Sequence, residues 1–342
     1  MIYVSVIIVN WNGKKDTSEC LKSIYKSTYE NFEVVVVDNA SKDCSVEFLM
    51  KRFPKAKIIA HDKNVGPVGG FNVGMKYAQG HLICLLGNDT IVDKDWLSEL
   101  VKSIKKDKKL AIVGSRIKNI MGYGGKETCG EILNIFFQVI NTKIPIKKTS
   151  FAPACAFVFR RDLFEKDPFI PEYFGNCEDV YLSILAKLKG YQVIMNPKSY
   201  IIHKGGVSVR KIPNIMDFHM EKNTILNFFI LYRLSTILKL LPIFIMYHTA
   251  DLVSSIFRKK FLHKINVYKW VIKNFKIISR YKKIIKNQRA ISDRQLISTT
   301  LSYKLPIGGR IGKIFTELSK SYLYLVGIKT IEMRQNDRWS PN

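Results

Sequence analysis

The sequence predicts an α/β fold in which a mostly parallel sheet is covered by helices on both faces. Two observations in the first 115 residues predict this fold class. Short runs rich in β-branched residues recur along the chain, and segments with helical spacing of apolar residues lie between them. Uninterrupted apolar strands that alternate with helices are typical of a parallel sheet with both faces buried.

The predicted elements of this half follow one another in strict alternation. The strands are Val4–Val9, Val34–Val37, Lys57–Ala60, Leu82–Leu86 and Ala111–Gly114. The helices are Thr17–Ser27, Ser45–Arg52, Gly70–Ala78 and Asp95–Lys106. Ser41 and Asp43 are candidate caps for the second helix, because their side-chain oxygens can accept from the free N–H groups of a first helical turn.

The pattern between residues 116 and 220 is less regular. Gly122, Gly124 and Gly125 predict a mobile loop, and the later elements are an apolar run at 152–159, a helix at 178–189 and a strand at 192–195. We therefore expect one α/β domain over 1–220, made of a regular half at 1–115 and a less regular half at 116–220. Residues 221–342 form a separate basic, apolar helical region.

Composition points to an anionic partner. The chain of 342 residues has a net charge of +27, and the part from Arg258 onward carries 20 Lys and Arg against four Asp and Glu. Phosphate, nucleic acid and an acidic membrane surface are the partners that such a balance implies. The six cysteines stand singly with no CxxC pair, which excludes a zinc-cage motif and favours a reducing compartment.

The apolar segment 225–257 is interrupted by Arg233, Lys239 and Asp251. Its longest uncharged stretch is shorter than the roughly 20 residues that a membrane span needs. The pattern predicts an amphipathic helix lying in a membrane interface. The alternative is a helical subdomain that packs on the catalytic core and exposes a solvated basic face. The first apolar run ends at Asn10 and is interpreted as a strand, not a secretory signal.

Polar residues follow three predicted strands at the end where each strand stops. They are Asn10, Asp38, Asn39, Asn88 and Asp89. Ligands of parallel sheets bind beyond the carboxyl ends of the strands, so these positions predict a site. A carboxylate at Asp89 suits a hard divalent cation. Its alternative role is to cap a helix beginning near Asp93.

Three further segments are candidates for chemistry. The glycine-rich stretch 64–74 would let the backbone approach a phosphate, although it follows the third strand and an ordinary turn is the alternative. Glu178 and Asp179 lie at the start of a helix. They either interact favourably with the helix dipole or supply a general base. His203 ends a strand before Gly205 and Gly206, and is either structural or a metal ligand.

These motifs, in this order, resemble those of family 2 glycosyltransferases, and most closely the rhamnosyltransferase-like and galactofuranosyltransferase-like branch. The motifs are Val-Asn-Trp-Asn-Gly (9–13), Val-Asp-Asn-Ala-Ser (37–41), Asn-x-Gly with Gly-Gly-x-Asn-x-Gly (64–74), Leu-Leu-Gly-Asn-Asp-Thr (85–90), Glu-Asp-Val-Tyr-Leu (178–182) and His-Lys-Gly-Gly (203–206). The match runs from residue 3 to about 225. It implies the GT-A fold, a Rossmann-like sheet flanked by helices. It also implies that residues 1–220 are the catalytic domain, with a nucleotide-binding half at 1–115 and an acceptor half at 116–220.

The resemblance also implies a role for each motif. Asp89 and His203 would bind Mg²⁺ or Mn²⁺, and Asp179 would be the catalytic base with Glu178 supporting it or contacting the acceptor. The residues that would bind the nucleotide-sugar are Asn10, Asp38, Asn39, Asn64, Gly69, Gly70, Asn72 and Asn88. Two departures are Gly87, where many relatives carry Asn or Asp, and Tyr181, where an acidic residue is common.

The implied activity is inverting transfer from a UDP-, dTDP- or GDP-sugar to a glycan or to a polyprenyl- or dolichyl-linked acceptor. Together with the basic C-terminal region, the resemblance predicts a peripheral protein at the anionic cytoplasmic face of a membrane. A nucleic-acid-binding protein is the main alternative, but no nucleic-acid motif occurs and we expect no such partner. A catalytically silent, glycosyltransferase-like scaffold is the second alternative.

Overall fold

The computed structural model describes residues 2–120, 127–140, 149–207, 209–306 and 309–336. The chain divides into two compact units. The first draws on residues 1–130, 145–186 and 191–216, and the second on residues 131–144, 187–190 and 217–342. The sequence pattern places 131–144 and 187–190 in the catalytic domain, whereas they group with the C-terminal unit. The glycines predicted to form a mobile loop lie outside the described residues.

The strands and helices of the described residues are as follows. The strands are β1 (Val4–Asn10), β2 (Phe32–Asn39), β3 (Lys57–His61), β4 (Leu82–Gly87), β5 (Thr90–Val92), β6 (Leu110–Asn119), β7 (Glu127–Thr128), β8 (Ile132–Asn134), β9 (Val139–Ile140), β10 (Ala156–Arg160), β11 (Gln192–His203) and β12 (Leu301–Ser302). The helices are α1 (Lys14–Ile24), α2 (Ser45–Arg52), α3 (Gly66–Tyr77), α4 (Trp96–Lys106), α5 (Glu178–Leu188), α6 (Pro213–Leu231), α7 (Leu234–Phe257), α8 (Phe261–Lys273), α9 (Phe275–Lys286), α10 (Asp293–Thr300), α11 (Gly309–Leu325) and α12 (Ile331–Asn336).

One large sheet organises the first unit. Its strand order is β3-β2-β1-β4-β10-β6-β11-β5, and β7 pairs with β6. The first four strands are parallel, and β6 is parallel to β11. β10 runs antiparallel between β4 and β6, and β5 runs antiparallel along β11. The predicted α/β fold is confirmed, and the antiparallel strands make the sheet mixed.

Strand β11 extends eight residues beyond the strand predicted at 192–195. The sequence pattern stops at Asn196-Pro197 because polar residues interrupt the apolar run. In the structure, Asn196 donates to the backbone oxygen of Glu99, and Ser199 pairs with Ser115. The register shifts between Asn196 and Tyr200, after which the strand continues to His203. Tertiary partners therefore compensate for the polar interruption.

Helix α3 packs on the sheet through glycine. A Cβ atom at Gly70 would lie 2.6 Å from a methyl group of Val9, and one at Gly74 would lie 2.4 Å from a methyl group of Ile7. Both distances are far below ordinary van der Waals contact. The helix also begins at Gly66, four residues earlier than predicted, because the glycines that suggested a loop are packing positions inside the helix.

The second unit consists mainly of helices and contains a small sheet with the strand order β12-β8-β9. Its core contains an aromatic cluster in which Phe136 contacts the rings of Phe228, Phe244 and Tyr247. Phe228 and Phe244 are stacked with ring centroids 4.4 Å apart. This cluster joins the segment 131–140 to α6 and α7, which explains why that segment belongs to the second unit.

Among the described residues, α7 is the one helix long and apolar enough to cross a membrane by length and composition. The sequence pattern predicts no such helix, because the uncharged stretch between Lys239 and Asp251 is too short for a span. The helix continues through both charged residues to a length of 24 residues.

Gly74→Ala tests the packing of α3 against β1. Alanine normally stabilises a helix relative to glycine, but here the added methyl group would overlap Ile7. We expect the free energy of unfolding to fall by about 1–3 kcal/mol in urea titrations. Lys76→Ala, at an exposed position of the same helix, should be nearly neutral. A Gly74→Ala protein as stable as wild type would contradict the close approach.

Candidate functional site

A buried polar network joins the ends of strands β1, β2 and β4. Asn10 donates to a carboxylate oxygen of Asp38 at 2.6 Å, and its own Oδ1 accepts from the hydroxyl of Thr17 at 2.7 Å. Asn88 donates to Thr17 at 3.1 Å. Ser41 accepts from Asn10 and donates its backbone N–H to Asp38. We call these five residues the strand-end network.

The strand-end network leaves no room for a side chain at the turn after β1. A Cβ atom at Gly13 would lie 2.6 Å from Nδ2 of Asn88 and 2.9 Å from Oδ1 of Asn10. Asp38 is only 1% exposed, with both carboxylate oxygens accepting internal hydrogen bonds. Within the structure this carboxylate therefore fixes the shape of the sheet edge.

The glycine-rich segment lies beside the end of β2. Asn39 donates to the backbone oxygen of Gly66 at 2.9 Å, while its own Oδ1 is buried without a partner among the described residues. Gly66 has φ of +75°, which favours glycine, and its N–H donates to Asn64. The backbone oxygen of Phe174 accepts from Val68, so the chain before α5 approaches the N-terminus of α3.

Other residues of this segment are explained by packing. Asn72 bonds the backbone of Phe169 through both its amide nitrogen and its oxygen. The absence of a side chain at Gly70 lets Val9 pack against the helix, and a Cβ atom at Gly69 would overlap the side chain of Val65. These contacts account for the residue types without a ligand, and the predicted donor-binding roles of Gly69, Gly70 and Asn72 stay predictions.

Asp89 and His203 are brought into direct contact. They are separated by more than 100 residues, but β5 pairs with β11 so that Thr90 lies opposite His203. Oδ1 of Asp89 lies 3.3 Å from Nε2 of His203. Oδ2 of Asp89 accepts from the backbone N–H groups of Gly206 and Val207 at 2.8 and 3.0 Å. The alternative role of Asp89 as a helix cap is wrong, since α4 begins at Trp96 with Asp95 at its N-cap.

Hydrogen bonds favour the charged form of Asp89. Burial raises the pKa of this carboxyl, but the interactions with His203 and with the N–H groups of Val207 and Gly206 outweigh it and leave the pKa below its ordinary value. One carboxylate oxygen is thus fixed by the backbone, and the other faces the imidazole.

Asn119 orients the His203 ring. Its Oδ1, which can only accept, lies 3.1 Å from Nδ1 of His203. Nδ1 must therefore donate, so a neutral ring directs the lone pair of Nε2 toward Asp89. Two acceptors at 3.3 Å repel each other unless a proton or a cation lies between them. Sequence patterns do not reveal Asn119, because it ends a strand and belongs to no motif.

The Asp89–His203 pair fits a divalent cation. A carboxylate oxygen and an imidazole nitrogen are ligands that Mn²⁺ accepts, and adjacent ligands of an octahedral ion with bonds of about 2.1 Å lie roughly 3 Å apart. The observed separation of 3.3 Å is close to that value. Within the part of the chain that the structure describes, no third His, Cys, Asp or Glu side chain completes a larger cluster.

The carboxylate pair Glu178 and Asp179 opens α5 after a strained turn. Phe174, Asn176 and Cys177 all have φ between 61° and 66°, a region that non-glycine residues rarely adopt. Asp179 is half-buried and accepts from the N–H groups of Ala154 and Val180 at 3.0 and 2.8 Å. Strain of this kind is often kept where a side chain has to be aimed.

Glu178 and Asp179 differ in their surroundings. Glu178 is buried, and its Oε2 has no partner among the described residues. Burial raises the pKa of Glu178 strongly, and the negative charge of Asp179 raises it further. Burial also raises the pKa of Asp179, although its backbone donors oppose the shift. Both surroundings favour the protonated form, and the effect is stronger at Glu178, on which burial and the charge of Asp179 act together.

A short chain of contacts connects Asp179 with the turn that bears Asp89. Asp179 binds the N–H of Ala154, and the oxygen of the next residue, Cys155, accepts from the N–H of Gly87 at 3.0 Å. A Cβ atom at Gly87 would lie 3.1 Å from Oδ1 of Asp89 and 3.6 Å from Cβ of Cys155. Asp179 and the turn that bears Asp89 thus lie at the same edge of the sheet.

Two lysines to which the sequence assigns no role hold the segment after His203 against α1 and against the turn that precedes α1. Nζ of Lys204 contacts the carboxylates of Asp16 and Glu19 at 2.7 and 2.5 Å. Nζ of Lys211 donates to the backbone oxygen of Asn12 at 2.7 Å. These bonds hold the N–H donors of residues 206 and 207 in place against Asp89.

Comparison with known proteins assigns a family to this arrangement. A sequence profile described as glycosyl transferase family 2 matches residues 5–167, which include the strand-end network and Asp89. Over these residues the chain belongs to glycosyl transferase family 2. An uncharacterized glycosyltransferase of Haemophilus influenzae is 24% identical over 320 aligned residues, covering 77% of this chain and 98% of that protein.

Solved structures agree with the GT-A fold of the glycosyltransferase. GalNAc-T7 with UDP, GalNAc and Mn²⁺ is 16% identical with a TM-score of 0.52, over 66% of this chain and 47% of that one. The mannosyltransferase PcManGT of Pyrobaculum calidifontis, in complex with GDP-Man and Mn²⁺, is 14% identical with a TM-score of 0.50. That match covers 95% of this chain and 86% of PcManGT. Identities this low establish the fold alone.

Glu178→Gln tests whether Glu178 is protonated in the folded glycosyltransferase. Because the folded pKa is raised, the folded state keeps a proton that the unfolded chain releases. Wild-type stability should therefore fall as pH rises from the ordinary glutamate value toward the raised one. Glutamine cannot ionise, so the advantage of the variant should grow with pH in urea titrations between pH 5 and 8. Glu47→Gln, at an exposed position, controls for the chemical change. Equal pH slopes for wild type and Glu178→Gln would contradict the assignment.

Proposed function

We propose that this glycosyltransferase transfers a sugar from a nucleoside diphosphate-sugar to an acceptor hydroxyl with inversion, assisted by a divalent cation. The observation that carries the proposal is the facing pair of Asp89 and His203, at the sheet edge to which the contacts of Asp179 also lead. A cation-binding pair and a half-buried carboxylate are the groups that such a displacement requires.

The donor would bind along the ends of β1, β2 and β4. The proposed contacts are Asn10, Asp38, Asn39, Asn64, Gly69, Gly70, Asn72 and Asn88. Among the described residues the Oδ1 of Asn39 has no partner, and this supports the position because a buried acceptor is stabilised when a ligand such as a nucleobase N–H donates to it. UDP-, dTDP- and GDP-sugars all remain candidates. The UDP and GDP-Man complexes of the two solved structures support a donor of this class.

Asp89 and His203 would hold Mg²⁺ or Mn²⁺. A bound divalent cation offsets the negative charge that develops on a departing diphosphate. Neighbouring residues of this chain prepare the pair to bind the cation. Gly206 and Val207 fix one carboxylate oxygen, and Asn119 keeps the lone pair of Nε2 pointing at the other. The Mn²⁺ in both solved structures is in line with this assignment.

Asp179 would act as the general base. The acceptor oxygen attacks the anomeric carbon, its proton moves to Asp179, and the bond between the sugar and the diphosphate breaks. A single displacement of this kind inverts the anomeric configuration. A positioned base contributes about 10²–10⁴-fold to the rate. Glu178, protonated beside it, would donate a hydrogen bond to the acceptor or support Asp179.

The acceptor proposed is a glycan or a polyprenyl- or dolichyl-linked sugar at the cytoplasmic face of a membrane. The strongly basic chain after Arg258 supports contact with an anionic surface. The sequence predicts acceptor contacts within residues 116–178. Of these, 121–126 and 141–148 lie outside the described residues.

The substitutions Asp179→Asn and Glu178→Gln should distinguish the catalytic roles of the two carboxylates. Asparagine cannot take a proton, so we expect Asp179→Asn to lower kcat by about 10²–10⁴-fold while donor binding is retained. Glutamine resembles protonated Glu178, so Glu178→Gln should keep kcat within about tenfold of wild type. Turnover with a nucleotide-sugar panel and calorimetric donor titration are the two measurements. Substantial turnover by Asp179→Asn would remove the base assignment.

Asn119→Leu and Asn119→Asp test the orientation of His203. Leucine removes the acceptor for Nδ1, and the affinity for Mn²⁺ should fall about 10–100-fold. Aspartate keeps an acceptor and should retain the affinity. Free Mn²⁺ measured by electron paramagnetic resonance reports binding, and ¹⁵N NMR of the His203 ring reports its tautomer. Asp89→Ala serves as the variant expected to lose binding. Unchanged affinity in Asn119→Leu would show that the ring is oriented by other contacts.

A further inference from the structure

Helix α7 has two faces of opposite character. One face carries a stripe of exposed residues at spacings of three and four: Leu234, Leu238, Pro242, Ile245, Thr249, Val253 and Ile256. At 100° per residue these positions fall within a single arc of about 100°. The arc contains no charged residue, and it runs almost the whole length of the helix. We call it the α7 stripe.

Polar contacts hold the opposite face of α7 against other residues of the second unit. Tyr247 accepts from the side chain of Gln138 at 2.9 Å, and Nδ1 of His248 lies 3.1 Å from the hydroxyl of Tyr268. Asp251 forms ion pairs with Arg258 and with Lys264. Lys264 is itself buried and pairs with Glu221 at 2.9 Å.

These polar anchors decide between the two ways in which an apolar helix can meet a bilayer. A helix that spans is surrounded by hydrocarbon, and α7 would then take Asp251, His248 and their partners into the bilayer. A helix that lies in the interface buries one face only. The division of α7 into an apolar exposed face and a polar anchored face matches the second arrangement.

Helix α11 adds a second apolar stripe to the same unit. Its exposed residues Ile314, Leu318 and Leu325 recur at i, i+4 and i+11, on one side of the helix. The hydroxyl of Tyr322 donates to the backbone oxygen of Lys239, which joins α11 to α7. Large exposed apolar patches of this kind mark interaction sites.

The net charge of the chain indicates which kind of partner covers the α7 stripe. The chain from Arg258 to its end has 20 basic and four acidic residues. A second copy of this chain carries the same excess of positive charge, which opposes its approach to the first. An anionic lipid surface attracts these cations while its acyl region accepts the apolar stripe.

We propose that the α7 stripe, together with the exposed face of α11, inserts in the plane of an anionic membrane and anchors the protein there as a monotopic enzyme. The inference rests on the proposed function only for the position of the acceptor. The α7 stripe, the exposed face of α11 and the positive charge of the chain support a membrane-binding surface independently of that function.

The test compares matched substitutions by flotation on vesicles of phosphatidylcholine and phosphatidylglycerol. Ile245 and Ile120 are both 55% exposed, the first on the α7 stripe and the second at the end of β6 in the first unit. Leu238→Asn combined with Ile245→Asn should lower the partition coefficient at least about tenfold. Ile120→Asn should float like wild type. Wild-type binding should weaken with salt and on vesicles of phosphatidylcholine alone, and carbonate at high pH should extract the protein.

Three results would overturn the inference. The first is equal flotation of wild type and the Leu238→Asn, Ile245→Asn protein, and the second is a wild-type protein that does not float at low salt. The third is a wild-type dimer, found by sedimentation, that these substitutions convert to monomer. Calorimetric donor titration on the same proteins separates this question from catalysis. If the substituted protein no longer floats but still binds the donor, the substitutions have affected membrane binding alone. If the wild-type protein does not bind the donor, the result counts against the proposed function.

Discussion

The candidate site depends on the pairing of the short strand β5 with the end of β11. That ladder places Thr90 opposite His203, so a carboxylate from the first third of the chain meets an imidazole more than 100 residues later. The segment that follows His203 then returns two N–H groups to the same carboxylate, and Lys204 fastens it to α1. A shift of this register by one residue would turn His203 to the other face of the sheet.

Unequal solvation gives the two carboxylates of α5 different properties. Glu178 and Asp179 are adjacent in sequence and chemically similar, yet Asp179 is half-buried with two backbone donors while Glu178 is buried with an oxygen that lacks a partner among the described residues. Burial raises the pKa of both, and the charge of Asp179 acts on Glu178 in the same direction. The surroundings therefore distinguish two carboxylates that residue type does not, because the charge of Asp179 adds to the effect of burial at Glu178.

In the second unit, too, the surroundings of a charged residue matter more than its type, as helix α7 shows. In α7 the apolar stripe and the polar anchors are interleaved along the sequence, so the segment is apolar on average and its charges look like interruptions. In three dimensions Asp251 lies on the face that meets Arg258 and Lys264, and the opposite arc is free of charge. The positions of the charges around the helix, rather than their number, separate an interfacial helix from a spanning one.

The sequence by itself determined the alternation of strands and helices, the clustering of polar residues at three strand ends and the family. These features depend on local periodicity and on motifs whose order is written in the chain. The tertiary structure decided what periodicity cannot encode: the antiparallel insertion of β10 and β5, the extension of β11 through Asn196, and the recruitment of Asn119 to orient His203. It also showed that Gly70 and Asn72 are required by packing, because only the folded chain brings Val9 and Phe169 against them.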